Sequence, residues 1–233
     1  MQSTSVQQSR SQAMVSSFIM SVYNWMALGL LLTAGVAWYV STSQAMLQLI
    51  FGNKLVFFGL IIGELALVFT LSGAIQRMKA STATMLFVLY SALNGATLAS
   101  IFIVYTRSSI FSAFVVCAGM FGAMSIYGMV TKKDLTGVGN FMFMGLIGII
   151  IASIANFFFR SSGMAMIINY VGVIVFVGLT AYDTQKIKMM ALSQPDDLDG
   201  GTLRKGALLG ALTLYLDFIN LFLFLLRIMG DRE

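Results

Sequence analysis

Three acids, Glu64, Asp183 and Asp217, stand inside long apolar stretches of a sequence that is 58% hydrophobic, and no Lys or Arg occurs at comparable depth in those stretches. An ionisable side chain near the centre of a bilayer costs roughly 2.5 kcal/mol or more unless it meets water, a partner or a proton. Acids alone at such depth point to chemistry with cations: binding of H⁺, or oxygen ligation of a hard ion such as Ca²⁺, which takes about six to eight oxygens. Two carboxylates helped by carbonyls, hydroxyls and water make a weak, permeable site rather than a tight one. The sequence contains no histidine, the usual side chain that titrates near neutral pH, so any pH response must come from carboxyl groups.

The elements that must position these acids are membrane helices. The chain has 233 residues, only 10% of them charged, and a single proline, Pro195; its mean hydropathy is +0.89. Spanning the hydrocarbon core takes about 20 apolar residues per helix, and apolar runs place seven spans at 18–40, 55–75, 82–105, 109–130, 137–159, 164–187 and 206–228. The expected fold is an all-α integral membrane protein: a polar cytoplasmic N-terminal tail over 1–17, then one seven-helix domain over 18–230. Residues 1–17 lack the basic-then-apolar pattern of a cleaved signal peptide, so the first span is expected to be retained. No length remains for a soluble catalytic domain.

An odd number of spans puts the termini on opposite sides. With the N-terminus inside, Arg10, Arg77, Lys79, Lys132, Lys133, Lys186, Lys188, Arg204 and Lys205 face the cytoplasm, against Lys54, Arg107, Arg160, Arg227 and Arg232 on the other side. That bias predicts an N-in, C-out orientation. The net charge of +5 is scattered at span ends, without the basic stripe or aromatic interleaving of a nucleic-acid surface.

Gly206, Gly210, Thr213, Asp217 and Asn220 recur at steps of three or four, so they share one face of the last helix. That polar stripe must meet protein or water, which suits a helix at the centre of the bundle. On the sixth helix Asn169, Gly172, Thr180 and Asp183 trace a similar line, interrupted by Phe176. At 1.5 Å per residue Asp217 lies roughly 18 Å past Lys205, whereas Asp183 is only about 5 Å before Lys186. Spacing therefore puts Asp183 nearer the cytoplasm, and tilt or a protruding sixth helix is needed to bring the two acids together. Once together, they would repel and titrate as a unit.

Arg77 ends the second helix on the cytoplasmic side, placed either to latch Asp183 or to snorkel as an interfacial anchor. Glu64, among Ile, Gly and Leu, either lines the same cavity or bonds a hydroxyl as a neutral acid. Asn94 and Asn156 suit interhelical hydrogen bonds. Pairs of glycines one turn apart, Gly59 with Gly63 and Gly206 with Gly210, allow close helix approach.

The segment from Lys188 to Lys205, with Pro195, Asp196, Asp197, Asp199, Gly200 and Gly201, reads as a solvated turn; its likeness to a calcium loop lacks the closing Glu. Cys117 is the only cysteine, within an apolar run, and reads as helix packing. There is no His-based metal site, no Gly-x-Ser-x-Gly elbow, no phosphate loop and no Gly-x-Gly-Asp context for an intramembrane aspartyl protease. An enzyme is not expected, nor a bound cofactor.

Tyr170-Val-Gly-Val-Ile-Val-Phe-Val-Gly-Leu-Thr-Ala-Tyr-Asp-Thr-Gln-Lys186 and Gly210-Ala-Leu-Thr-Leu-Tyr-Leu-Asp-Phe-Ile-Asn-Leu-Phe222 resemble the Bax inhibitor family of membrane proteins, as do Leu89-Tyr-Ser-Ala-Leu-Asn-Gly95 and Phe121-Gly-Ala-Met-Ser-Ile-Tyr-Gly-Met-Val-Thr-Lys-Lys-Asp-Leu135. The likeness runs from about residue 20 to 229, and the short acidic loop suggests the bacterial branch and a bacterial inner membrane. It implies six helices around a central last helix and a pH-sensitive Ca²⁺ leak. The family's proton-sharing, gating aspartates fall on Asp183 and Asp217, and its latching arginine on Arg77, with Glu64, Asn94, Thr213 and Asn220 as further pore-lining candidates. Eukaryotic members carry a basic cytosolic tail where this sequence reads Met229-Gly-Asp-Arg-Glu233, a departure that points away from tail-mediated control. Some bacterial relatives are linked instead to a membrane-bound ATP-dependent protease, which implies an alternative role in membrane quality control. The expected partners are thus the lipid bilayer, Ca²⁺ and a membrane protease, and not nucleic acid.

Overall fold

The computed structural model describes residues 2–195 and 199–231. Asp196, Asp197 and Arg232, and the side chain of Arg10, lie outside what is described. Among the described residues the chain is helical, without strands: α1 (Gln2–Thr42), α2 (Gln44–Phe51), α3 (Lys54–Ala74) followed by a 3-10 turn (Ile75–Arg77), α4 (Ala80–Leu98), α5 (Ile101–Val104), α6 (Arg107–Val130), α7 (Thr136–Phe159), α8 (Ser162–Leu192) and α9 (Gly200–Met229). In lipid only an element that satisfies its own backbone can span, and these sequences have no internal proline to break the ladder.

Seven of the helical segments are long and apolar enough to cross a membrane: Met14–Thr42, Lys54–Arg77, Ala80–Val104, Arg107–Val130, Thr136–Phe159, Ser162–Leu192 and Gly200–Met229. All seven expected spans are present. Burial differs sharply among them, from 6% of the most apolar window in the second and fifth to 67% in the last. The last span is therefore the most buried of the seven, and the second and fifth the least.

The structure departs from the sequence reading at the ends and breaks. The polar residues 2–17 are not separate from the first span but form the opening turns of α1. The connection after the first span contains α2, capped by Ser43, whose side chain accepts from Met46 N–H. The third span is broken after Leu98, where the hydroxyls of Thr97 and Ser100 donate to carbonyls three residues back, Asn94 O and Thr97 O. Such hydroxyl bonds compete with the helix ladder. The polar loop expected over 188–205 shrinks, since α8 runs on to Leu192 and α9 starts at Gly200. With 31 residues, α8 is roughly 46 Å long, longer than the ~30 Å hydrocarbon core requires.

The chain divides into two compact units, Met1–Val104 with Met190–Tyr215, and Tyr105–Met189 with Leu216–Glu233. In the first, α1 approaches α4 where glycine removes the side chain: a Cβ on Gly95 would sit 2.5 Å from Thr33 O, and one on Gly29 would sit 2.9 Å from the Phe87 ring. In the second, Gly128 of α6 lies directly on the Ala181 carbonyl of α8, Gly139 of α7 on the Tyr182 ring, and a Cβ on Gly172 of α8 would be 2.7 Å from Phe224 of α9. Gly59, singled out from its spacing, is open: a Cβ there would meet nothing within 4 Å, and one on Gly63 only Leu93 at 4.0 Å. A four-residue spacing marks where helices can approach, and the neighbouring side chains decide where they do.

Candidate functional site

Asp183 and Asp217 belong to the same unit, where their carboxyl groups meet in side-chain hydrogen-bond contact. Asp183 lies nine residues before the end of α8, which runs on past Lys186. Three close contacts set the spacing of α8. Gly128 admits the Ala181 backbone, and Thr184 Cβ lies 3.1 Å from a Cβ built on that glycine. Gln185 clamps the loop between α6 and α7, accepting from Leu135 N–H at 2.8 Å and donating to Lys133 O at 2.8 Å. Lys188 Nζ donates to Met129 O at 2.6 Å.

Asp217 is only 4% exposed, and Asp183 is half-buried. Among the described residues Asp217 Oδ2 is buried without a hydrogen-bond partner. Phe218 packs edge-on against Phe114 and Phe121 with ring centroids 5.8 and 5.3 Å away, and its carbonyl receives the Cys117 thiol at 3.6 Å. That contact fits the packing role expected of Cys117. Lys186, one turn beyond Asp183, is the cation that acts on it electrostatically. A carboxyl pair like this can hold two protons, one or none, and with none it places two like charges together away from bulk water.

The other acid site lies in the first unit. Glu64 Oε1 accepts from the Thr97 hydroxyl at 2.9 Å and Oε2 from Asn94 Nδ2 at 3.3 Å. Asn94 Oδ1 in turn faces the Tyr215 hydroxyl at 3.0 Å, which is 2.7 Å from Thr33 Oγ1, and Thr33 Oγ1 lies 2.8 Å from Ser91 O. Of the two roles open to Glu64, the hydroxyl bond is the one present. Asn94 is the interhelical hydrogen-bonder expected. Tyr215, completely buried, is the hub that sequence reasoning missed; Tyr90 and Phe87 pack edge-on against its ring at 5.6 and 6.3 Å. Its signal was available, since a Tyr amid Leu on the most polar-striped helix needs a partner for its hydroxyl.

The remaining candidates are more local. Thr213 and Asn220 donate to carbonyls of their own helix, Leu209 O at 3.1 Å and Leu216 O at 2.8 Å. Asn156 does not bridge helices as expected: its Oδ1 accepts from Ser161 N–H at 2.9 Å and closes the turn after α7, where Arg160 takes a φ of 51°. Arg77 is exposed, in the 3-10 turn after α3. A cavity of about 400 Å³ in the first unit is lined by Phe18, Trp25 and Arg204 among others, and by none of the three acids. Among the described residues no three potential ligands cluster as a preformed metal site.

Comparison with known proteins agrees with this architecture. Residues 15–233 match the family model described as inhibitor of apoptosis-promoting Bax1. The chain is 59% identical over 222 residues to an inner membrane protein of Escherichia coli (strain K12), YbhL, covering 95% of this chain and 94% of that one. It is 46% identical over 218 residues to an uncharacterized protein of Borreliella burgdorferi, with 94% and 93% covered, and 41% identical to one of Deinococcus radiodurans, with 100% and 98% covered. Seven apolar helices, the motifs around Asp183 and Asp217 and a match across nearly the whole length lead to one assignment: the chain belongs to the Bax inhibitor family of membrane proteins.

Proposed function

We propose that this protein is a passive, pH-sensitive cation pathway, permeable to Ca²⁺, in which protonation of the Asp183–Asp217 pair gates flux. The observation that carries the reading is the contact between a half-buried carboxyl and a fully buried one, whose Oδ2 has no hydrogen-bond partner among the described residues. With one proton shared, each carboxyl satisfies the other. With none, the pair becomes a doubly negative oxygen cluster that attracts a divalent cation and drives its own helices apart. Lys186 tunes the half-buried partner. The bilayer this pathway crosses is the bacterial inner membrane, in keeping with the name of the Escherichia coli relative, with the N-terminus cytoplasmic as the basic residues predict. Arg77 enters as the latch that the family resemblance implies.

Vesicles reconstituted with the protein and loaded with a Ca²⁺ dye test this. The wild type should leak with a pH-dependent rate, Asp217→Asn and Asp183→Asn should each change the rate and flatten its pH profile, and Arg77→Gln should raise the closed-state leak. Unchanged rate and profile in both aspartate variants would refute the gate, and co-purification of the same variants with a membrane protease would then favour the quality-control role.

A further inference from the structure

The hydrogen-bond chain of the first unit contains one contact too many for its protons. Tyr215 and Thr33 bring one hydroxyl proton each, yet three oxygen–oxygen contacts depend on them: Tyr215 to Asn94 Oδ1 at 3.0 Å, Tyr215 to Thr33 at 2.7 Å and Thr33 to Ser91 O at 2.8 Å. All three lie within the range of a full hydrogen bond, and a carbonyl or amide oxygen supplies no proton. Buried oxygens held this close without a proton between them would repel, and leaving such a group unmet is destabilising.

Rotating the Asn94 amide by 180° exchanges its oxygen and nitrogen, which have nearly the same shape. Asn94 Nδ2 then donates to the Tyr215 oxygen, Tyr215 donates to Thr33, and Thr33 donates to Ser91 O. Every contact in the chain holds one proton. The exchange turns Asn94 Oδ1 toward Glu64 Oε2, 3.3 Å away in the present arrangement. Two oxygens can meet there only if Glu64 carries the proton.

We infer that Glu64 is a proton-binding site separate from the aspartate pair, and that the Asn94 amide flips with its occupancy, reversing the hydrogen bonds through Tyr215 and Thr33. When the proton binds, an O–H···O bond forms from Glu64 to Asn94 Oδ1 and the N–H···O bond from Asn94 to Glu64 breaks. When it leaves, Asn94 Nδ2 turns back to the carboxylate; the Thr97 hydroxyl, 2.9 Å from Oε1 and 3.0 Å from Asn94 O, shares its one proton between them in both states. The groups facing Glu64 are these two and, through charge, the phenols of Tyr90 and Tyr215. Among the described residues no Lys or Arg acts on Glu64. Because the network links residues of α1, α3, α4 and α9, a single proton on α3 sets the bonding of three other helices.

The sequence makes the test clean, since Glu64 and Glu233 are its two glutamates. In a Glu233→Gln background, ¹³C-labelled glutamate reports Glu64 alone in infrared spectra of the reconstituted protein. The expected result is an isotope-shifted band of a protonated carboxylic acid near neutral pH, replaced by carboxylate bands as pH rises. Tyr215→Phe and Thr33→Val should both shift that titration, with Thr33→Val acting although it does not touch Glu64. A carboxylate signal at every pH from 5 to about 9 would overturn the inference. So would a titration that both variants leave unmoved, since Tyr215 and Thr33 would then be packing groups only.

Discussion

Two buried acid sites meet the same physical demand in different ways. Glu64 is surrounded by neutral donors, a hydroxyl and an amide, and behind them a Tyr–Thr chain that ends on the Ser91 carbonyl. Asp217 is buried with Oδ2 unpartnered, and the group that acts on it among the described residues is another acid, Asp183. The first site can redistribute hydrogen bonds when a proton arrives. In the second, on the reading proposed above, a proton changes the charge between two helices.

Wedging the second site should give the largest effect. Gly128→Ala puts a methyl group against the Ala181 backbone carbonyl, which cannot rotate aside as a side chain could. A loss of about 3 kcal/mol, the upper end of ordinary overpacking, should appear in denaturation of the purified protein, together with an altered pH profile of the leak. A wild-type melt would mean that α6 and α8 are less closely apposed than described. Next in size is Tyr215→Phe, which strips the hub hydroxyl and leaves Thr33 and Asn94 Oδ1 without it; about 1–2 kcal/mol should be lost, and Thr33→Val in the same background should cost little more.

Glu64→Gln should be milder, below about 1 kcal/mol, because the amide can donate to Asn94 and accept from Thr97 as a protonated acid would. It should also move the pH midpoint of Ca²⁺ flux less than Asp217→Asn does. Equal shifts would erase the distinction between the two sites. The smallest effect belongs to the exposed cap of α7, where Asp134 Oδ1 accepts from the Thr136 hydroxyl at 2.6 Å and its N–H at 2.9 Å. Those bonds, the hydroxyl first, hold the Asp134 carboxyl below its ordinary value. Asp199 is held down in the same way at the start of α9, chiefly by Thr202. A depressed carboxyl stabilises the fold above its unfolded value and ceases to do so as pH falls through its folded one. Asp134→Asn should therefore lower the melting temperature slightly at neutral pH and not at all in strong acid; an equal change at both would assign the loss to geometry instead of charge.

Composition and hydrophobic run length determined the class and the number of spans, because a bilayer imposes a length and a polarity on every crossing that the chain cannot evade. The same logic exposed Glu64, Asp183 and Asp217, since an acid is conspicuous where charge is costly. Helix ends were less legible: α8 continues past Lys186 to Leu192, because polar residues extend a helix into water as readily as they end it. What only the tertiary structure decided was which groups meet. Asp183 and Asp217 are 34 residues apart, and whether they touch depends on glycines 128, 139 and 172 letting α8 close on its neighbours. Tyr215 and Thr33 are 182 residues apart, and Gly29 and Gly95 let α1, which carries Thr33, close on α4. Periodicity along one helix fixes which face is polar, but the face that it meets belongs to another helix, and that choice rests on packing between segments distant in the chain.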